Sequence, residues 1–224
     1  MVSSRNKITI DKASSGFSLI ELLITLTITL LILGLAFSLL AGALNKKVRE
    51  EKQANMLADA NVGLGRMAEE IENSGFGLRS NGIVASDSSE DQIRIRANLN
   101  AFLKQTSSTT VSDASEDVIF KLVAKPGEPS ALVRSDVGTG TSSVLAGSVD
   151  DSDINGDGNG DGLTFTYLDA TGAAVTPDLA VRVGITLRVT LPQVGVVGGT
   201  GFQPKVIKAL TANVVLRNAR LPAY

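Results

Sequence analysis

The 224-residue chain has no cysteine, no histidine and no tryptophan. Without histidine the commonest general base is missing, and without histidine or cysteine no zinc site of the usual kind can form. Thiolate nucleophiles are excluded on the same ground. No disulfide staples the chain, which by itself does not assign a compartment. Prolines number six, and none precedes Pro126. The net formal charge is only −2, so there is no basic footprint and no nucleic-acid partner is expected. The sharpest shortage is local: between Phe17 and Leu44, Glu21 is the only ionisable residue.

About 20 consecutive apolar residues suffice to cross a bilayer. The run from 17 to 44 exceeds that, and a buried core helix rarely needs such length, so it reads as a membrane span. Residues 1–16, MVSSRNKITIDKASSG, are polar and carry Arg5, Lys7 and Lys12. A secretory signal places its small-residue cleavage site after the apolar region. Here Ser14, Ser15 and Gly16 come before it. Cleavage there would leave the apolar helix on the mature chain. Basic residues flank both ends of the span, with Lys46, Lys47, Arg49 and Lys52 on the far side, so their count does not choose an orientation.

The helical pattern continues past the span. Met56, Ala60, Leu64, Met67 and Ile71 recur every three or four residues and share one face. A helix is expected from about 18 to 73, roughly 80 Å long at 1.5 Å per residue. Asn73-Ser74-Gly75 reads as its stop. The stripe is expected to pack a globular domain onto the helix. Gly63 and Gly65 fall inside this half, where each costs about 1 kcal/mol relative to alanine. Close packing of a strand and local melting both account for them.

From residue 75 the chain is rich in Gly, Ser, Thr, Val and Asp, with short alternating segments, as in a β-rich domain. Strands are expected at 92–97, 118–124, 131–134, 163–168, 181–191 and 206–217. In 182–191, Val183, Ile185, Leu187 and Val189 fall on one face, with Arg182, Thr186, Arg188 and Thr190 on the other, the mark of a half-buried antiparallel strand. The Gly-rich stretch PQVGVVGGTGFQP is expected to join the last two strands as a hairpin loop, and the polar residues 104–117 to be exposed.

Residues 150–162 read DDSDINGDGNGDG. Side-chain oxygens recur at alternate positions in Asp151, Asp153, Asn155, Asp157, Asn159 and Asp161, with glycines between them. Calcium takes six to eight oxygens from flexible loops. Set against a calcium-loop pattern, Asp153, Asn155 and Asp157 fill the first three ligand positions and Gly158 the turn. Asn159 would offer its carbonyl and Asp161 would reach through water. Thr164 stands where the bidentate Glu is wanted. Calcium is the candidate ion; an ion-free Asx/Gly turn is the bland alternative.

The residues Gly16-Phe17-Ser18-Leu19-Ile20-Glu21-Leu22-Leu23 resemble the processing motif of type IV prepilins and type II secretion pseudopilins. The resemblance implies cleavage between Gly16 and Phe17 by a prepilin peptidase, which would also methylate the new amine of Phe17. It implies a cytoplasmic leader, a single pass through the bacterial inner membrane, a periplasmic C-terminal domain and, after assembly, a place in a pilus filament. Glu21 would then pair with an N-terminal amine during assembly, which offsets the several kcal/mol that a lone carboxylate costs in lipid. Major pilins commonly carry a proline about twenty residues into the mature helix; Ser38 lies in that neighbourhood here, which leans toward a minor pilin or pseudopilin.

Further along, Ser74-Gly75-Phe76 at the helix end, LTFTYL, VRVGITLRVTL and the final VVLRN resemble PilW-like minor pilins and, in part, the related J-type pseudopilins. The implied fold is α+β and type IV pilin-like: a leader over 1–16, a long helix over 17–74 and an antiparallel β-domain over 75–224. The implied partners are other minor and major pilins, the prepilin peptidase and an inner-membrane assembly platform. The expected role is structural, a minor pilin that primes or supports assembly, with a type II secretion pseudopilin as the alternative. No G-x-S-x-G or H-E-x-x-H motif is present, and an enzyme is not expected.

Overall fold

The computed structural model describes residues 16–100, 113–198 and 202–219. The leader up to residue 15 and most of the polar stretch 104–117 lie outside the described residues. The chain divides into two compact units, Met1–Lys47 and Val48–Tyr224. The border falls within a single helix, α1 (Leu19–Glu72).

In the first unit α1 carries the apolar run, and its residues are exposed. Among the described residues this is one helix long and apolar enough, by length and composition, to cross a membrane. No proline interrupts it.

In the second unit, α1 packs on an antiparallel sheet, giving the expected α+β arrangement. The buried helix residues are Met56, Ala60, Gly63, Leu64, Met67 and Ile71, the stripe its periodicity marks. The helix ends where Gly75 adopts φ +75°. Its N–H donates to Arg96 O at 2.8 Å, and an added Cβ would run into the Ser80 carbonyl, so glycine is required there.

The strands are β1 (Gln92–Arg96), β2 (Asp117–Lys125), β3 (Glu128–Asp136), β4 (Thr141–Val149), β5 (Leu163–Leu168), β6 (Arg182–Leu191) and β7 (Val206–Val215). They form one seven-stranded sheet in the order β1-β2-β3-β4-β6-β5, with β7 also paired to β6. One long edge of β6 is covered by β7 in unbroken register. Its other edge is shared by β5 and, through Val149 and Val189, by β4. Val183, Ile185, Leu187 and Val189 are buried as their alternation requires, and Ile93, Phe120, Leu132 and Phe165 complete the core against the helix.

Strand β4 was not among the expected strands. Its sequence, TSSVLAGSV, does not alternate because the β3–β4 ladder shifts register twice. Ser130 faces Val149, Leu132 faces Ala146 and Val133 faces Val144. Each shift inserts an extra β4 residue and flips the facing. The other strands match their expected ranges to within a few residues at each end. The expected exposure of 104–117 fails at its end: Glu116 and Asp117 are buried. Asp117 is held between Arg94 (2.7 Å) and Arg96 (2.9 Å) on the polar face of β1.

Candidate processing and assembly site

Gly16, Phe17 and Ser18 precede the helix and are exposed. The first helical bond runs from Leu22 N–H to Ser18 O at 3.1 Å. Ser18 therefore stands at the N-cap and Glu21 three residues on, inside the first turn. This is the S-x-x-E spacing of a capping box. A carboxylate there also faces the positive end of the helix dipole. Glu21 is thus placed within one turn of Phe17, the residue whose amine cleavage would free. Thr25, Thr27 and Thr29 donate their hydroxyls to the carbonyls of Leu22, Ile24 and Thr25 at 2.7–2.9 Å, so these three hydroxyls are satisfied within the helix.

The acidic loop lies between β4 and β5. Asp153 accepts the N–H groups of Gly156 (2.6 Å) and Gly158 (2.9 Å). Asp161 Oδ2 accepts those of Ile154 (2.6 Å) and Asn155 (3.1 Å). Asn155 Oδ1 accepts Asp157 N–H and Asp157 Oδ1 accepts Asn159 N–H, at 3.0 and 2.8 Å. The loop thus folds around its own amides as a chain of Asx turns. Among the described residues no three acidic side chains converge as a ready metal cage. A cavity of about 240 Å³ joins Asp157, Asn159 and Asp161 to Glu90 and Asp91. The 151–161 pattern could not reveal Glu90 and Asp91, which lie some seventy residues earlier and reach the loop only through the sheet. The Phe165 N–H donates to Glu90 O at 2.7 Å and draws that segment against β5.

A larger groove, about 590 Å³, runs between α1 and β1 and is lined by Val62, Gly65, Arg66, Glu69, Leu99 and Glu116 among others. Arg66 at its rim pairs with Glu70 at 3.1 Å, and Glu70 in turn takes Arg134. Glu116 Oε1 and Oε2 accept the N–H groups of Leu99 and Asp113.

The prokaryotic N-terminal methylation motif matches residues 11–37. No curated protein and no solved structure matches the chain. The motif covers the leader end, the Gly16–Phe17 junction and the first half of the apolar run. With the exposed apolar helix on a sheet domain, it supports a membrane-anchored, type IV pilin-like protein of a structural class. Pilins and pseudopilins share that architecture, and partners of the general pilus-assembly kind, other pilins and the prepilin peptidase, follow from the motif.

Proposed function

We propose that this chain is a minor pilin of a type IV pilus, PilW-like, that helps prime or support filament assembly. The observation that carries the reading is the methylation motif at 11–37 opening an apolar helix without proline. Residues 1–16 are the leader, cut between Gly16 and Phe17, and Phe17 is then N-methylated. The domain from 75 onward faces the periplasm, with the helix held in the inner membrane until extraction into the filament. Glu21 pairs with the Phe17 amine of its own chain or of a neighbour, setting the axial register of packed helices. Glu21→Gln, which keeps shape and removes charge, should leave membrane insertion intact and reduce incorporation into filaments. Calcium belongs to the same reading: the loop oxygens of Asp153, Asn155, Asp157, Asn159 and Asp161 have its donor chemistry.

The deciding experiment is a clean deletion in the native host scored for sheared surface filaments and for the secreted-protein profile. Loss of filaments with normal secretion is the expected outcome. Loss of secretion with intact filaments would assign the chain to the type II secretion pseudopilins instead. Intact mass after co-expression with a prepilin peptidase gives a direct check, and retention of residues 1–16 would count against both.

A further inference from the structure

Asparagine followed by glycine occurs three times, at Asn81-Gly82, Asn155-Gly156 and Asn159-Gly160. In each pair the glycine nitrogen can close a five-membered ring on the asparagine side chain, because no Cβ hinders its approach. That nitrogen gives up its proton and attacks the asparagine Cγ. The bond from Cγ to the side-chain nitrogen breaks, and ammonia leaves with the proton. Water then opens the succinimide. Attack at Cγ gives aspartate, and attack at the former main-chain carbonyl gives isoaspartate. The sequence offers this chemistry at all three positions equally; the fold does not.

Asn81 is buried, at 5% exposure. Its Nδ2 donates to Pro177 O (2.8 Å) and Ala180 O (3.1 Å), and its Oδ1 accepts the Ile83 N–H (3.1 Å). The Gly82 N–H donates to Ser80 Oγ at 3.3 Å, and a Cβ on Gly82 would run into the backbone of Gly75 and Arg96. Neither partner of this pair has room to turn toward the other. Asn155 is exposed but tied. Its Oδ1 accepts the Asp157 N–H and its Nδ2 donates to Asp157 Oδ2, both at 3.0 Å. The attacking nitrogen is held as well, since the Gly156 N–H donates to Asp153 Oδ1 at 2.6 Å. Asn159 is exposed too, and only its backbone is engaged, donating to Asp157 Oδ1 at 2.8 Å. Among the described residues nothing holds its side-chain amide or the Gly160 N–H.

We propose that Asn159 is a spontaneous deamidation site of this protein, and that the fold ranks the pairs Asn159, Asn155, Asn81 in falling order of rate. A hydrogen-bonded N–H must open before it can lose its proton. The Asp153 bond therefore slows Asn155, and the buried Asn81 reacts only through unfolding. Reaction at Asn159 adds a carboxylate to the cavity where Glu90, Asp91, Asp157 and Asp161 already stand. Those charges repel, and isoaspartate also lengthens the main chain by a methylene, so the aged loop holds its turns less tightly. The β4–β5 loop thereby carries an irreversible mark of the age of the chain.

The test follows the full chain in mild detergent, with a chelator present, over weeks at neutral pH and body temperature. Peptide mapping with tandem mass spectrometry reads Asn, Asp and isoAsp at each of the three positions, and a parallel sample in urea gives the rates without the fold. In the folded chain Asn159 is expected to convert several-fold faster than Asn155, with Asn81 unconverted, while in urea the three rates converge. Asp153→Ala, which frees the Gly156 N–H, should raise the Asn155 rate toward that of Asn159 and leave Asn81 unconverted. Asn159→Gln should remove the main acidic species that appears on isoelectric focusing, because glutamine closes its larger ring far more slowly. Equal folded-state rates at Asn155 and Asn159, or an unconverted Asn159, overturn the proposal. An Asn155 rate that Asp153→Ala does not move overturns the part of the ranking assigned to Asp153.

Discussion

Arg134 and Glu70, 64 positions apart in the chain, meet where β3 crosses the helix: Arg134 Nε donates to both carboxylate oxygens of Glu70 at 2.9 Å. The Arg134 side chain is 7% exposed and that of Glu70 23%. Removing one partner of such a pair leaves a poorly solvated charge, at a cost of about 3 kcal/mol. Arg134→Ala is therefore expected to lower the urea midpoint of the full chain in mild detergent by that equivalent. Arg66→Ala breaks the other Glu70 contact, but Arg66 is 53% exposed, and its loss should cost under about 0.5 kcal/mol. Equal losses for the two variants would contradict a buried role for Arg134.

Acid should unfold the domain through Asp117 and Asp136. Burial pushes the Asp117 carboxyl up, but the hydrogen bonds and charges of Arg94 and Arg96 outweigh it and hold the group below its usual value. At Asp136 burial is likewise outweighed, by the N–H groups of Ser115 and Thr139, the Thr139 hydroxyl and the charge of Arg134. A depressed folded-state pKa stabilises above the unfolded value of about 3.9 and loses that contribution as pH falls through the folded value. The unfolding midpoint should be flat from pH 7 to about 5 on this account, then fall below about 4. Asp117→Asn should start lower at neutral pH and show a shallower acid limb. An unchanged acid limb in the variant would remove Asp117 from the explanation.

Two glycines in one helix should respond unequally to alanine. A Cβ at Gly65 would meet nothing within 4 Å, so Gly65→Ala should gain up to about 1 kcal/mol of helix propensity. A Cβ at Gly63 would stand 3.1 Å from Leu145 O and 3.2 Å from its Cβ, against the β4 backbone. Gly63→Ala should gain less than Gly65→Ala, and Gly63→Val should destabilise by about 1–3 kcal/mol. Denaturation midpoints of the three variants measured together check the ordering.

Calcium, if it takes the acidic loop as proposed, should raise the melting temperature of the wild-type chain. A ligand at a hundredfold excess over Kd stabilises by about 2.7 kcal/mol, or roughly 5–10 °C for a domain of this size. Asp153→Ala/Asp157→Ala should lose the shift and, because Asp153 holds the Gly156 and Gly158 amides, also melt lower without calcium. A wild-type melting temperature indifferent to calcium would withdraw the ion and leave the turn.

What the sequence made legible follows physical period. The stripe from Met56 to Ile71 repeats at helical spacing, and β6 alternates without interruption, so both are legible in the sequence. Strand β4 could not, because its two register shifts destroy the alternation that a reader counts. The Gly63 contact was half legible: the glycine stood out as a helix defect, while its reason, Leu145, lies on that unseen strand. At the candidate site the Gly16-Phe17 junction and Glu21 are contiguous in sequence and were readable as a motif. Glu90, Asp91 and the Arg49 bonds to the Pro192 and Pro204 carbonyls are brought to their places only by the sheet. No local pattern signals a contact of that kind.

The buried Glu116 carboxylate has a practical consequence. One side chain receives the N–H groups of Leu99 (3.0 Å) and Asp113 (3.1 Å), the residues that bracket 101–112, and Asn100 Nδ2 closes the same gate on the Asp113 side chain. Both gateposts are fastened to Glu116, at the start of β2. Backbone hydrogen bonding at the borders is what decides whether a foreign peptide is tolerated. An epitope or affinity tag spliced between 101 and 112 should therefore leave the sheet undisturbed, which offers a handle for following this protein in living cells far in sequence from the Gly16–Phe17 junction.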